Sequence, residues 1–112
     1  VEADVPNDQI SPLELKQKLA DGASVLILDV REPIEYQTAK IEGSVLIPLG
    51  ELASRVEELD PSQEIVTLCH HGMRSQAGLG ILVSKGFAHV KNLTGGIDAY
   101  AQVADPSIPR YR

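Results

Sequence analysis

The chain has 112 residues, 43% of them apolar and 23% charged, with a formal net charge of −6. That is the composition of one ordinary globular domain, long enough to bury about two-thirds of the surface its unfolded chain exposes. The acidic balance argues against a nucleic-acid or anionic-membrane partner, and no apolar run approaches the ~20 residues of a membrane span.

There is one cysteine, Cys69. A lone cysteine forms no internal disulfide and no multi-cysteine zinc site, which predicts a reducing compartment and a cytoplasmic location. No secretory or Arg-rich transit segment is legible. The first residue is Val1 rather than Met, which reads as a processed or trimmed start. Charge is uneven along the chain. Residues 1–64 carry 14 acids against 5 bases, and residues 65–112 carry 2 against 5. The half that holds Cys69 is therefore the one that repels anions least.

Residues 1–8 read as a polar, frayed entry. Ser11-Pro12-Leu13-Glu14 predicts a helix start, with Ser11 as N-cap, Pro12 in the first turn and Glu14 closing a capping box. Gly22 ends that helix. Val25 to Leu28 is a continuous apolar run, as in a strand buried on both faces. Pro33 opens a short helical turn carrying Tyr36. Val45 to Ile47 is a third apolar segment, stopped by Pro48. Leu49 to Leu59 is an amphipathic helix with Leu52, Val56 and Leu59 on one side. Ile65 to Leu68 is the next strand, and Ser75 to Lys85 the next helix. Gly78 and Gly80 weaken that helix by about 1 kcal/mol each against Ala, which predicts close packing on the sheet. His89 to Leu93 is the last strand, with His89 at its end. Gly95-Gly96 is a turn, Ile97 to Val103 a helix, and residues 104–112 an extended tail. Strands alternating with helices predict a parallel sheet covered on both faces, in one domain spanning 1–112.

Cys69 falls where a strand ends and a helix begins, the crevice in which open α/β sheets bind ligands. Gly72 lets the intervening turn curl tightly. The turn's N–H groups, the helix N-terminus and the charge of Arg74 each favour thiolate over thiol, and thiolate is the nucleophile. A cysteine that only packs needs none of these. His70 and His71 are adjacent in a tight turn, which does not aim both rings at one point, and no third ligand is near. They read as loop lining and substrate contacts rather than as metal ligands, and no cofactor is implied.

Cys69-His70-His71-Gly72-Met73-Arg74-Ser75 resembles the C-x-x-G-x-R-[ST] active-site loop of rhodanese-like sulfurtransferase domains. The resemblance runs over residues 10–100. It includes Ile10-Ser11-Pro12-Leu13-Glu14-Leu15, Asp29-Val30-Arg31-Glu32-Pro33 with Glu35-Tyr36, and Ile41-Glu42-Gly43-Ser44 with Ile47-Pro48-Leu49. Gly86-Phe87 and Asn92 to Ile97 complete it. Lys40 and Tyr100 depart from the family's usual His and Trp. The resemblance implies an α/β rhodanese-like fold, a five-stranded parallel sheet with helices on both faces. It also implies catalysis through a persulfide on Cys69, loaded from a small anionic donor such as thiosulfate or from a persulfide. A thiol, cyanide or a protein acceptor then unloads it. His70, His71, Gly72, Met73, Arg74 and Ser75 would line the substrate, Arg74 holding a sulfonate. Asp29 and Arg31 would support the site from behind, or simply pair to fix a strand end.

Two other readings stand beside this one. A persulfide carrier, or a regulatory or binding module of a larger protein, shares the loop. A cysteine phosphatase or arsenate reductase would resemble C-x5-R. Here four residues separate Cys69 from Arg74, a smaller ring that suits a sulfur atom better than a tetrahedral oxyanion.

Overall fold

The computed structural model describes residues 8–111. The polar entry read over residues 1–8 lies outside these except for Asp8. Five strands form one wholly parallel sheet: β1 (Gln9–Ile10), β2 (Val25–Asp29), β3 (Val45–Leu46), β4 (Glu64–Leu68) and β5 (Val90–Leu93), in the order β1-β5-β4-β2-β3. Four helices connect them, α1 (Pro12–Ala20), α2 (Pro33–Thr38), α3 (Leu49–Arg55) and α4 (Met73–Ser84), and α5 (Gly96–Val103) follows β5.

The edge strand β1 was not legible as a strand. It has two residues, and its pairing of Gln9 with Asn92 and Ile10 with Leu93 is a tertiary event. Ile10 is buried in the core together with Leu15 of α1. The α1 capping box forms as its sequence predicts: the Glu14 N–H donates to Ser11 Oγ at 3.1 Å, and the Ser11 N–H donates to Glu14 Oε1 at 2.9 Å. The helix expected over Leu49 to Leu59 stops at Arg55 and tightens into a 3-10 turn, Val56–Glu58.

The apolar runs of β2 and β4 fill both faces of the sheet. Ile27, Val66 and Leu68 face α1 and α5, joining Ile10, Leu15, Ile97 and Tyr100. Leu28, Val30 and Ile65 face α3 and α4, with Leu52, Leu79, Leu82 and Phe87. Each such fully buried side chain contributes about 1.5–3 kcal/mol. Gly78 packs as expected, since a Cβ there would touch Val30 at 3.4 Å and Leu52 at 3.6 Å. Gly80 does not: it is exposed and nothing lies within 4 Å of a Cβ at that position.

The strand order places the site. From β2 the chain moves to β3 on one side, and from β4 to β5 on the other. The loops leaving these neighbouring strands therefore diverge, opening a crevice at their carboxyl ends. Cys69 follows β4 at that crevice, and Arg31 follows β2. The tail expected to be extended instead folds back. Ala104 and Ile108 are buried with the α1/α5 cluster, and Tyr111 packs against it. Arg112 lies outside the described residues. No helix among the described residues is long and apolar enough to cross a membrane.

Candidate active site

Leu68 ends β4 with its carbonyl accepting from the Val30 N–H at 2.9 Å, so the strand pairing runs up to the cysteine. Cys69 is 1% exposed. The chain then curls through His70 and His71 to Gly72, whose φ of +105° is the left-handed backbone that glycine tolerates and side chains resist. This turn brings the Gly72 N–H to 3.0 Å from Cys69 Sγ, which accepts it. Gly72 is also the N-cap of α4, a 12-residue helix, so the sulfur sits at a helix N-terminus. The helix begins at Met73, two residues earlier than its sequence suggests, because the turn ends at Gly72.

Asn92 on β5 fastens the loop from behind. Its Nδ2 donates to the Gly72 carbonyl at 3.2 Å, to Gln76 Oε1 at 3.1 Å and to Gln9 Oε1 at 3.2 Å. Its Oδ1 accepts from the hydroxyl of Ser75. Ser75 Oγ lies 3.3 Å from Cys69 Sγ and is wholly buried. Ser75, expected as a substrate contact, therefore meets the Cys69 sulfur from inside the protein.

The loop's outward carbonyls are held by α5. The Ile97 N–H donates to the Cys69 carbonyl at 2.8 Å, and the Asp98 N–H donates to the His70 carbonyl at 3.1 Å. These are first-turn N–H groups with no partner inside their own helix. Gly96, with φ of +66°, allows this approach, since a Cβ there would overlap both carbonyl oxygens. Gly95-Gly96 is thus part of the site and not only a turn.

Of the remaining loop residues, Met73 is 83% exposed and His71 is exposed, with its Nδ1 at 4.0 Å from Asp98. His70 is half-buried against the Tyr111 ring, centroids 4.2 Å apart, and its buried Nδ1 has no partner among the described residues. Burial first, then the neighbouring His71, lowers its pKa and favours the neutral ring. No group of three or more His, Cys, Asp or Glu side chains able to hold a metal occurs among the described residues.

Arg74 pairs with a carboxylate from another element. Its Nη1 and Nη2 donate to the two carboxylate oxygens of Glu35, at 2.6 and 2.8 Å, so the guanidinium meant for a sulfonate already has a carboxylate. Glu35 comes from α2 and accepts a further bond at 2.8 Å from the Tyr111 hydroxyl. With Arg74 as the main cause, its pKa falls to about 2. Asp29 and Arg31 do not reach the open mouth. Both side chains are fully buried and form a two-pronged pair, Nη2 to Oδ2 at 2.6 Å and Nε to Oδ1 at 2.9 Å. Arg31 Nη2 also donates to the Ala39 carbonyl at 2.6 Å, and Nη1 donates to the Tyr111 hydroxyl at 2.8 Å. They act as the frame that holds Tyr111.

Glu35, Asn92, Gly96 and Tyr111 were not singled out as site residues from the sequence. Glu35, Asn92 and Gly96 lie inside the segments that carry the resemblance, yet nothing local to them predicts their partners. Tyr111 lies outside those segments.

Comparisons with known proteins point to one family. The family model for the rhodanese-like domain matches residues 11–103. The chain is 43% identical over 89 residues to the "Putative sulfur carrier protein YrkF" of Bacillus subtilis, covering 80% of this chain and 48% of that one. It is 33% identical to the thiosulfate sulfurtransferase GlpE of Pseudoalteromonas translucida, covering 83% and 89%. The solved rhodanese-like domain protein of Staphylococcus aureus superposes with a TM-score of 0.81 at 26% identity, covering 94% and 99%. The chain spans about half or less of several curated relatives it matches, including YrkF and two plant proteins of which it covers 23% and 38%. With its parallel five-stranded order, its cysteine at the end of β4 and a family model covering most of its length, this chain belongs to the rhodanese-like domain family.

Proposed function

We propose that this chain moves sulfane sulfur from a small donor to a thiophilic acceptor through a persulfide on Cys69. The observation that carries the reading is the Gly72 N–H aimed at Cys69 Sγ at 3.0 Å, at the N-terminus of α4. A buried packing cysteine has no use for a donor held there by a left-handed glycine. The names of its relatives, a thiosulfate sulfurtransferase and a sulfur carrier, support the same chemistry.

In the first half-reaction the Cys69 thiolate attacks the outer sulfur of the donor. The Sγ–S bond forms, the donor's S–S bond breaks, and the bonding pair leaves with sulfite or with a thiolate. In the second, cyanide or a thiol takes the outer sulfur and its pair returns to Cys69. This is covalent catalysis with two separate displacements. The Gly72 N–H and the α4 terminus offset negative charge at sulfur in both steps. Ser75 and Asn92 keep the loop and the sulfur in register.

The carrier reading shares the first half-reaction and differs in unloading only to a protein acceptor. The phosphatase reading is disfavoured by the ring: four residues rather than five separate Cys69 from Arg74, a smaller loop than a tetrahedral oxyanion needs. A reducing, cytoplasmic setting suits a free thiol.

Initial rates with thiosulfate and cyanide test the proposal. Parallel double-reciprocal lines and no thiocyanate from Cys69→Ser are expected. Converging lines, or turnover by Cys69→Ser, would refute it.

A further inference from the structure

Among the described residues, Arg74 and Arg110 beside the Cys69 loop are each paired with a carboxylate. Arg74 uses both terminal nitrogens on Glu35. Arg110 donates from Nε and Nη2 to the two oxygens of Asp98, at 2.9 and 3.2 Å. The exposed His71 has Asp98 as its nearest acid. Tyr111 makes the Glu35 pairing durable, because its hydroxyl gives its proton to Glu35 and accepts from Arg31, which the buried Asp29 anchors. Glu35 is therefore held in place from α2, from the loop and from the tail. Beside this pair stand two exposed apolar side chains, Ile34 at 72% and Met73 at 83%, the chain neighbours of Glu35 and Arg74.

Thiosulfate is a dianion whose sulfonate end needs a free cation, and its leaving group, sulfite, is again a dianion. A thiol persulfide brings a neutral or singly charged reacting end and leaves as a single thiolate. With Arg74 neutralised by Glu35, the pair offers no net positive charge, a loss that weighs more on a dianionic donor than on a neutral or singly charged one.

We propose that Glu35, clamped on Arg74 by Tyr111, is a specificity-determining residue that disfavours dianionic donors, so that the preferred donor is a thiol persulfide rather than thiosulfate. This rests on the sulfurtransferase reading above. The step balances without an oxidant: the Cys69 thiolate attacks the outer sulfur of R–S–SH, the Cys69 Sγ–S bond forms, the R–S–S bond breaks, and its electron pair leaves on RS⁻. The proton stays with the transferred sulfur.

The test is the rate at which Cys69 gains one sulfur, read by intact mass, with thiosulfate and with glutathione persulfide as the two donors. The parent should load faster from glutathione persulfide. Glu35→Gln keeps an acceptor for Arg74 and removes the charge. It should raise the thiosulfate-to-persulfide rate ratio by about tenfold, and a second change, Arg74→Ala, should abolish that gain. Tyr111→Phe keeps the ring against His70 and loosens Glu35, so it should move the ratio the same way by about twofold. A parent that loads faster from thiosulfate, or a ratio unmoved in Glu35→Gln, overturns the inference while leaving the sulfurtransferase reading intact. Should Glu35→Gln not fold, an unmoved ratio in Tyr111→Phe overturns it equally. Loading from neither donor overturns both.

Discussion

Replacing Gly96 by Ala should damage the active site from a residue that touches no substrate. Its φ of +66° costs an L-residue about 1–2 kcal/mol. The new Cβ would also overlap the carbonyl oxygens of Cys69 and His70, which are backbone atoms and cannot swing aside. Relief requires α5 to retreat from the loop. That loses the Ile97-to-Cys69 and Asp98-to-His70 hydrogen bonds, at about 1 kcal/mol each. The expected loss is about 3–4 kcal/mol, a large part of the ~5–15 kcal/mol that holds a domain of this size. Urea unfolding followed by circular dichroism measures it. Gly80→Ala is the internal control, because that glycine lies in α4 with nothing within 4 Å of a Cβ, and it should gain about 0.5–1 kcal/mol. Sulfur loading of Cys69 should fall at least about tenfold in Gly96→Ala under conditions where it remains folded. The reasoning is refuted if Gly96→Ala unfolds at the parent's urea midpoint, or if it loads sulfur at the parent's rate.

Asp29→Ala would strand the fully buried Arg31 guanidinium and should cost about 3–5 kcal/mol in urea unfolding; a loss below about 1 kcal/mol would show the pair to be dispensable. Glu35 has its folded pKa lowered from 4.5 to about 2, so its stabilisation is fully present above about pH 4.5 and is lost as pH falls through about 2. With Arg74 38% exposed and solvent screening the pair, Glu35→Gln should be less stable than the parent by about 1–2 kcal/mol at pH 6, with the gap closing by pH 2; a gap that does not change with pH contradicts this. Inserting one glycine beside Gly72 should slow sulfur loading by enlarging the ring, and the parent should not hydrolyse an aryl phosphate; Cys69-dependent hydrolysis would favour the phosphatase reading.

Where the chemistry is local, it was legible in the sequence. The apolar runs at Val25–Leu28 and Ile65–Leu68 mark strands buried on both faces, and Ser11 to Glu14 carries its cap within four residues. Cys69 to Ser75 marks a strand-to-helix turn that holds the cysteine, because the cysteine, the glycine and the arginine are close in sequence. What was not legible depends on pairing across the chain. Two residues of β1 hold no pattern, and only Asn92 and Leu93 make them a strand. Glu35 and Arg74 lie 39 positions apart, so a bidentate pair between α2 and the loop has no sequence signature. Tyr111 sits among prolines and charges that read as a tail. Its role arises because Ile108 is buried beneath α5 and returns the chain to Arg31. Gly80 misled in the opposite direction: a glycine in a helix suggests close packing, but this one faces solvent.

The central claim is that Cys69 carries the transferred sulfur. The most direct measurement is the intact mass of the full chain after incubation with a sulfane donor, removal of excess donor, and treatment with cyanide. The parent should gain one sulfur atom, lose it to cyanide with one equivalent of thiocyanate, and then accept another. Cys69→Ser should gain none while keeping the parent's circular dichroism spectrum. Sulfur added to Cys69→Ser, or a parent that no sulfane donor modifies, would contradict the account.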